Sequence, residues 1–310
     1  MSVNPKTASL PPDKVRKTIS AINKALDDPE GFVSLADVDS LHGLLQHCAA
    51  GLIPTRFHLS FTVLARTQAL RKGFAVVHMD WRIELQWWAA LLINWNGVSL
   101  LLPLHWTVPQ HAADRSMFSD ASRSRQKLQG GAGMVFGHLF QHFNFTKEEV
   151  RDLEIMHLEG LTYVLWLYTL CKVCPAKISG RRFETWCDNE PFATAVTNHK
   201  SNYPTISFLL RILHDLQARF SFDLRCRWID TKSNCVADAL SRGEIVVFRN
   251  EMQRLGFNPQ HLRFVPIEQD RRAAWVSKMR RYRRLEIDLR VTPEQTTSPT
   301  SNTGHDSASV

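Results

Sequence analysis

Four acidic residues stand in settings that would let them act together. Asp120 lies in Phe118-Ser119-Asp120-Ala121-Ser122, at the end of an expected strand, and Asp188 lies in Trp186-Cys187-Asp188-Asn189, at the end of another. Glu159 follows Leu158 on a long apolar segment, beside the stripe Ile155, Leu158, Thr162, Leu165 and Trp166. Asp238 sits in Asn234-Cys235-Val236-Ala237-Asp238-Ala239-Leu240-Ser241-Arg242, in the first turn of a late helix, where the helix dipole favours an acid. In an open sheet with parallel neighbours the carboxyl ends of strands are where reactive groups collect, because the loops there converge on a crevice. Carboxylates gathered from four separate elements repel one another unless cations neutralise them. Mg²⁺ prefers carboxylate and water oxygens, and two such ions about 4 Å apart hydrolyse phosphodiesters, one activating water and the other stabilising the leaving 3′ oxygen. The expected chemistry is therefore hydrolysis assisted by two Mg²⁺ or Mn²⁺ ions, with no His or Lys needed as direct base. Singly, each acid has an ordinary use as a turn cap, a solvated helix charge or a first-turn acid. Only their joint placement points to a site.

The elements that must position these residues fall into two parts. Apolar residues at helical spacing predict helices over residues 12–26 (Val15, Ile19, Ile22, Leu26) and 35–50 (Val38, Leu41, Leu44, Leu45), then over 56–70 and 81–94, so the first hundred residues read as all-helical. Trp81, Trp87, Trp88 and Trp95 are dense there, and their spacing favours core packing over a base-stacking platform. From about residue 100 short apolar stretches bounded by Gly, Asn, Asp and Pro replace this pattern. They predict a connector or bridging strand at 100–106, a meander of strands at 117–121, 133–136 and 139–145, and a long helix over 147–170. A strand at 183–187, helices at 191–198 and 203–220, a strand at 223–229 and a helix from 234 complete the series. That order describes an α/β layered domain with a mixed five-stranded sheet flanked by helices. The expected organisation is a disordered lead (1–9), a helical arm (10–99), a connector (100–116), the α/β domain (117–243), a helical basic extension (244–291) and a disordered tail (292–310) rich in Thr, Ser, Pro and Asn.

Composition narrows the class of partner. The 310 residues carry 38 Lys and Arg against 30 Asp and Glu, a net charge of +8 that favours polyanions such as nucleic acid. Arg123, Arg125 and Lys127, close to Asp120, are candidates to meet phosphates, and Asn189 beside Asp188 is a candidate for a 2′-hydroxyl. Arg271, Arg272, Lys278, Arg280, Arg281, Arg283 and Arg284, interleaved with Trp275 and Tyr282, read first as a plain exposed helix and second as a non-specific nucleic-acid contact or nuclear import signal. The six cysteines follow no disulfide framework, and the first residues lack the apolar core of a signal peptide, so a nuclear or cytoplasmic protein, not a secreted one, is expected. Cys171 and Cys174 form a lone C-x-x-C, and a structural zinc site needs four ligands, so two buried thiols are the expectation. The apolar run 161–174 contains Lys172 and falls short of the roughly 20 residues a bilayer requires, so no membrane partner is expected.

The four motifs together resemble the ribonuclease H-like domain of retrotransposon reverse transcriptases, with the closest likeness to DIRS-type elements that carry a tyrosine recombinase. The pattern N-x-x-A-D-A-L-S-R over residues 234–242 is the most specific part of the likeness. Upstream, Leu10-Pro11-Pro12-Asp13-Lys14, Leu41-His42-Gly43-Leu44-Leu45-Gln46-His47, Trp87-Trp88 and Trp95-Asn96-Gly97-Val98-Ser99-Leu100 look like that family's thumb and connection. The resemblance implies an Asp-Glu-Asp-Asp nuclease that cuts the RNA strand of an RNA–DNA hybrid, its acids mapping onto Asp120, Glu159, Asp188 and Asp238 as catalytic residues and metal ligands. The sequence carries no paired-aspartate polymerase motif, so a polymerase domain on another chain is the partner the resemblance suggests. The alternative expectation is a non-catalytic nucleic-acid-binding remnant of a transposable element. A transposase on the same fold would end its acidic set with a Glu, which the setting of Asp238 disfavours.

Overall fold

The computed structural model describes residues 7–51, 58–94, 98–100, 117–199, 201 and 203–291. The chain opens with β1 (Thr7–Ser9), α1 (Pro12–Leu26), β2 (Phe32–Ser34), α2 (Leu35–Gly51), α3 (Ser60–Lys72), β3 (Phe74–Val76), α4 (Met79–Asn94) and β4 (Val98–Leu100). The four helices bury Ile22, Val38, Leu41, Leu45, Trp81, Leu85 and Trp88 in one core, the stripe that the helical spacing predicts. The arm is not all-helical, however. β1 pairs antiparallel with β4, and β2 with β3, as two short ladders. Three-residue strands carry too little alternation to be read as strands. What marks β3 is Gly73, which ends α3 in the left-handed region at φ 83° and turns the chain straight into the ladder. Trp95 and the segment 101–116, with most of the expected connector, lie outside the described residues, as does the tail 292–310.

The second part runs β5 (Met117–Ser124), β6 (Gln129–Phe136), β7 (Leu139–Asn144), α5 (Lys147–Asp152), α6 (Ile155–Val173), α7 (Pro175–Ile178), β8 (Arg182–Cys187), α8 (Glu190–Asn198), α9 (Pro204–Phe220) and β9 (Asp223–Trp228). It continues through α10 (Cys235–Ser241), α11 (Ile245–Arg254), β10 (Arg263–Phe264) and α12 (Gln269–Val291). The sheet is mixed, in the order β10-β7-β6-β5-β8-β9: β5, β6 and β7 form the antiparallel meander, while β8 and β9 run parallel to β5. It has six strands where five are expected, because the two-residue β10 adds parallel to β7. A strand of that length leaves no periodic trace in the sequence.

Helices cover both faces. α6 lies between the sheet and α9 and is buried on nearly every side, Tyr163 and Trp166 included, with the Tyr163 hydroxyl 2.6 Å from Thr185 Oγ1. The expected single helix over 147–170 is divided at residues 153–154. Thr146 and Glu149 form a capping box on α5, whose C-cap Leu153 is extended, and Glu154 then starts α6. On the opposite face α10 and α11 set Val236, Leu240, Phe248 and Met252 against Val135 and Phe140. Packing therefore does not stop at residue 243, where the α/β domain is expected to end. α12 continues it by adding Trp275, Val276 and Met279 to the main core.

The arm meets the α/β part along α9. Trp87 Nε1 donates to Asp215 Oδ1 at 2.7 Å and its ring stacks on His58 at 3.4 Å, while the Arg211 guanidinium lies 4.2 Å from the Phe61 ring centre. Trp81 and Trp88 are core residues, whereas Trp87 reaches across to Asp215. No helix among the described residues is long and apolar enough to cross a membrane.

Candidate metal centre

Strand register brings the first two acids together. β5 and β8 run parallel with Ser119 opposite Cys187, so the next residues, Asp120 and Asp188, stand side by side where β8 ends; β5 itself does not end at 121 as expected but runs on to Ser124 in its ladder with β6, so Asp120 lies midway along its strand. Glu159 comes from the first turns of α6, where it packs over that end, next to Gly160. A Cβ on Gly160 would press against Phe192 and Leu209, so the glycine lets α6 sit close to α8 and α9. Asp238 comes from α10, and α10 can lie against the sheet only because β6 presents glycines there. Gly133, paired with Asp120, would drive a Cβ into the Ala237 carbonyl oxygen, and Gly131 would drive one into that of Ser241.

All four acids line one cleft of about 940 Å³, together with Lys127, Lys147, Arg242, Asn144 and Thr231. Asp120 is 4% exposed and Glu159 8% exposed. Burial first, and then the nearby Asp188 and Asp120 charges, push the Glu159 carboxyl up to about 9. Burial and the Asp188 and Asp238 charges likewise raise Asp120 to about 7, against a lowering contribution from the Ser241 hydroxyl. Asp188 is also raised, chiefly by burial. Three buried carboxylate oxygens in this cleft, Asp120 Oδ2, Glu159 Oε2 and Asp188 Oδ1, have no hydrogen-bond partner. Unpartnered buried acceptors are costly, and three from separate elements facing one space form the oxygen-rich donor set that a hard divalent cation takes. The residues present thus fit Mg²⁺ or Mn²⁺ on chemistry. Asp238 differs from the other three in that its Oδ1 accepts from both Nε and Nη2 of Arg242, each at 2.8 Å.

Residues flanking the single acid of the last motif hold the cluster together. Asn234, wholly buried, donates from Nδ2 to the Ser119 carbonyl at 3.1 Å and also hydrogen-bonds Asp188, tying α10 to the ends of β5 and β8. Ser241 donates to the Asp238 carbonyl at 2.9 Å, and its own carbonyl accepts from Ser122 Oγ at 2.7 Å. Asn234, Ser241 and Gly133 are not among the residues expected to act at the site. The long spacing pattern around Asp238 contains two of them, and only the partner helix gives Gly133 its meaning.

The basic candidates divide. Lys127 lines the cleft. Arg123 also borders the cleft, but its side chain is 7% exposed and committed within the protein, donating from Nε to the Val150 carbonyl at 3.0 Å and lying 3.1 Å from Glu154. Arg125 grips both Glu154 oxygens at 2.8 Å, and Arg283 reaches the same carboxylate at 2.7 Å. Asn189 caps α8, its Oδ1 accepting from the Phe192 amide at 2.9 Å, while its side chain also bonds Glu159. α12 is not the plain exposed helix that its charge suggests. Arg272 pairs with Glu149, Arg280 lies 3.2 Å from Asp152, and the apolar side of the helix is buried. The Cys171 thiol is buried, and burial pushes it up to about 12.

Fold and cleft together define an α/β protein with a mixed six-stranded sheet, helices on both faces and a buried acidic cluster at one sheet end. No protein-family model matches the chain, and no curated protein matches it.

Proposed function

We propose that the chain is a metal-dependent endonuclease of the ribonuclease H type, which cuts the RNA strand of an RNA–DNA hybrid. In this reading the α/β part has a ribonuclease H-like fold, and the chain is the nuclease portion of a DIRS-type retrotransposon reverse transcriptase, served by a polymerase domain on another chain. The observation that carries the reading is the convergence of three unpartnered carboxylate oxygens, from β5, α6 and the end of β8, on one cleft. Two bound divalent cations would lower the pKa of an attacking water and neutralise charge on the leaving 3′ oxygen.

The protein's own residues do the rest. Asp120, Glu159 and Asp188 supply oxygens, and Asn234 fixes the spacing between the two strands that carry the aspartates. Asp238 is held by Arg242 and is available as the fourth acid once that pair opens. Lys127 and Lys147 offer positive charge to the substrate backbone, with an affinity that falls as salt rises. The Asn189 side chain, beside Glu159, is the proposed contact to a 2′-hydroxyl.

The test is a labelled RNA–DNA hybrid incubated with the purified chain while Mg²⁺ or Mn²⁺ is titrated. Cutting of the RNA strand alone, lost in Asp188→Asn, is expected. Binding that weakens with salt and leaves the RNA intact at every metal concentration would instead identify a non-catalytic nucleic-acid-binding remnant.

A further inference from the structure

The oxygen cluster has a sulfur neighbour. Cys187 Sγ and one oxygen each of Glu159 and Asp188 lie within 4.8 Å of one another. Cys187 is buried at the end of β8, accepts from the Asn189 amide at 3.5 Å, and has the Cys226 thiol beside it on β9. Glu159 is more than nine-tenths buried, its Oε2 has no partner, and Asp188 Oδ1 has none either. A hard cation has no use for a thiol, whereas Zn²⁺ and Cd²⁺ bind thiolate strongly.

We infer that the buried layer just behind the cleft's Glu159 and Asp188 is a site for a thiophilic divalent cation such as Zn²⁺ or Cd²⁺, held by Cys187 Sγ with one oxygen each from Glu159 and Asp188. Zinc–ligand distances of about 2.0–2.3 Å place tetrahedral ligands roughly 3.5 Å apart, so a small closing movement of the three side chains completes the set. Water fills the fourth position, and the thiol proton is released on binding. An ion held there withdraws Glu159 and Asp188 from the oxygen set. That consequence rests on the nuclease reading; the binding itself does not.

The test is titration of the full chain with Cd²⁺, following thiolate-to-metal charge-transfer absorption, and with Zn²⁺ against a chromophoric chelator. The wild type should show the absorption saturating at one equivalent. Cys187→Ala should lose it and bind Zn²⁺ weaker by roughly tenfold or more. Glu159→Gln should keep the absorption but weaken Zn²⁺ binding, and Cys171→Ser/Cys174→Ser should change neither. Absorption that is absent in the wild type, that persists in folded Cys187→Ala, or that disappears with Cys171 and Cys174 overturns the inference. If Cys187→Ala does not fold, unchanged Zn²⁺ affinity in Glu159→Gln overturns it alone. Hybrid cleavage with Mg²⁺ on the same preparation separates the two readings. A Cd²⁺ band without cleavage removes only the nuclease, and cleavage without the band removes only this site.

Discussion

Replacing Asp188 by asparagine should make the metal-free protein more stable while destroying the proposed site. Burial is the main reason Glu159 is held up at about 9 and Asp120 at about 7, and the Asp188 charge is the next cause for both. A tenfold bias against ionisation at one group is worth about 1.4 kcal/mol, so one such factor at each of two carboxyls gives about 3 kcal/mol. Coupling among the three acids reduces this to about 1–3 kcal/mol. For a chain of this size that corresponds to a rise in Tm of roughly 2–5 °C. The sign with pH follows from the same shifts. Both folded-state values lie above the ordinary carboxyl values of 3.8 and 4.5, so the folded protein keeps protons that the unfolded chain has already released. Stability of the metal-free wild type therefore falls as pH rises through that window towards about 9, and the advantage of Asp188→Asn grows over the same range. The side-chain amide of an asparagine there still offers an oxygen to the Asn234 donor and an N–H to the Asp120 carboxyl, the two side chains that hydrogen-bond Asp188, so both keep a partner. Thermal melts by circular dichroism in EDTA, from acid to about pH 9, read this directly. Excess Mg²⁺ should then raise the wild-type Tm and move the variant little. A variant that melts at or below the wild type near pH 8 in EDTA, or a difference indifferent to pH, would refute the reasoning.

Three further outcomes are expected. Gly133→Ala should lower stability by about 1–3 kcal/mol in urea unfolding and lose hybrid cleavage, because its Cβ meets the α10 backbone and lifts Asp238 away from Asp120. Glu154→Gln should leave Arg123, Arg125 and Arg283 without their shared carboxylate and lower the urea midpoint by the equivalent of about 1–2 kcal/mol, with high salt shrinking the difference. Trp87→Phe keeps a ring against His58 but removes the donor to Asp215, so the docking of the arm on α9 should weaken by about 1 kcal/mol, seen as faster amide exchange in α4 and α9 with the sheet unchanged.

Much of the acidic cluster was legible because its logic is local. Asp188 follows the last residue of β8 and Asp120 lies midway along β5, which runs on past the strand end expected there, but the parallel register of the two strands places them side by side whatever surrounds them. Asp238 sits in a spacing pattern whose other members, Asn234 and Ser241, turn out to anchor the helix that carries it. The helical arm was readable from the 3.6-residue recurrence of Val38, Leu41 and Leu45, all of which reach the core. What escaped the sequence depends on partners distant along the chain. Arg123 and Arg283 look like free cations until Glu154 is found between them. α12 reads as a solvated charge run because the acids that meet it, Glu149 and Asp152, stand more than a hundred residues earlier. β10 and the ladders β1–β4 and β2–β3 are too short to alternate, and their existence is decided by the edges available to pair with them.

The proposed function rests on three buried carboxylate oxygens without a hydrogen-bond partner, a donor set that divalent cations would complete. Diffraction from crystals of the full chain soaked in Mn²⁺, recorded at the manganese absorption edge, tests this most directly. The account predicts anomalous peaks in the cleft within coordination distance of Asp120, Glu159, Asp188 and Asp238, with the Arg242 pair to Asp238 opened. A cleft that stays free of Mn²⁺ at saturating concentration, with the Arg242 pair to Asp238 still closed, would contradict it.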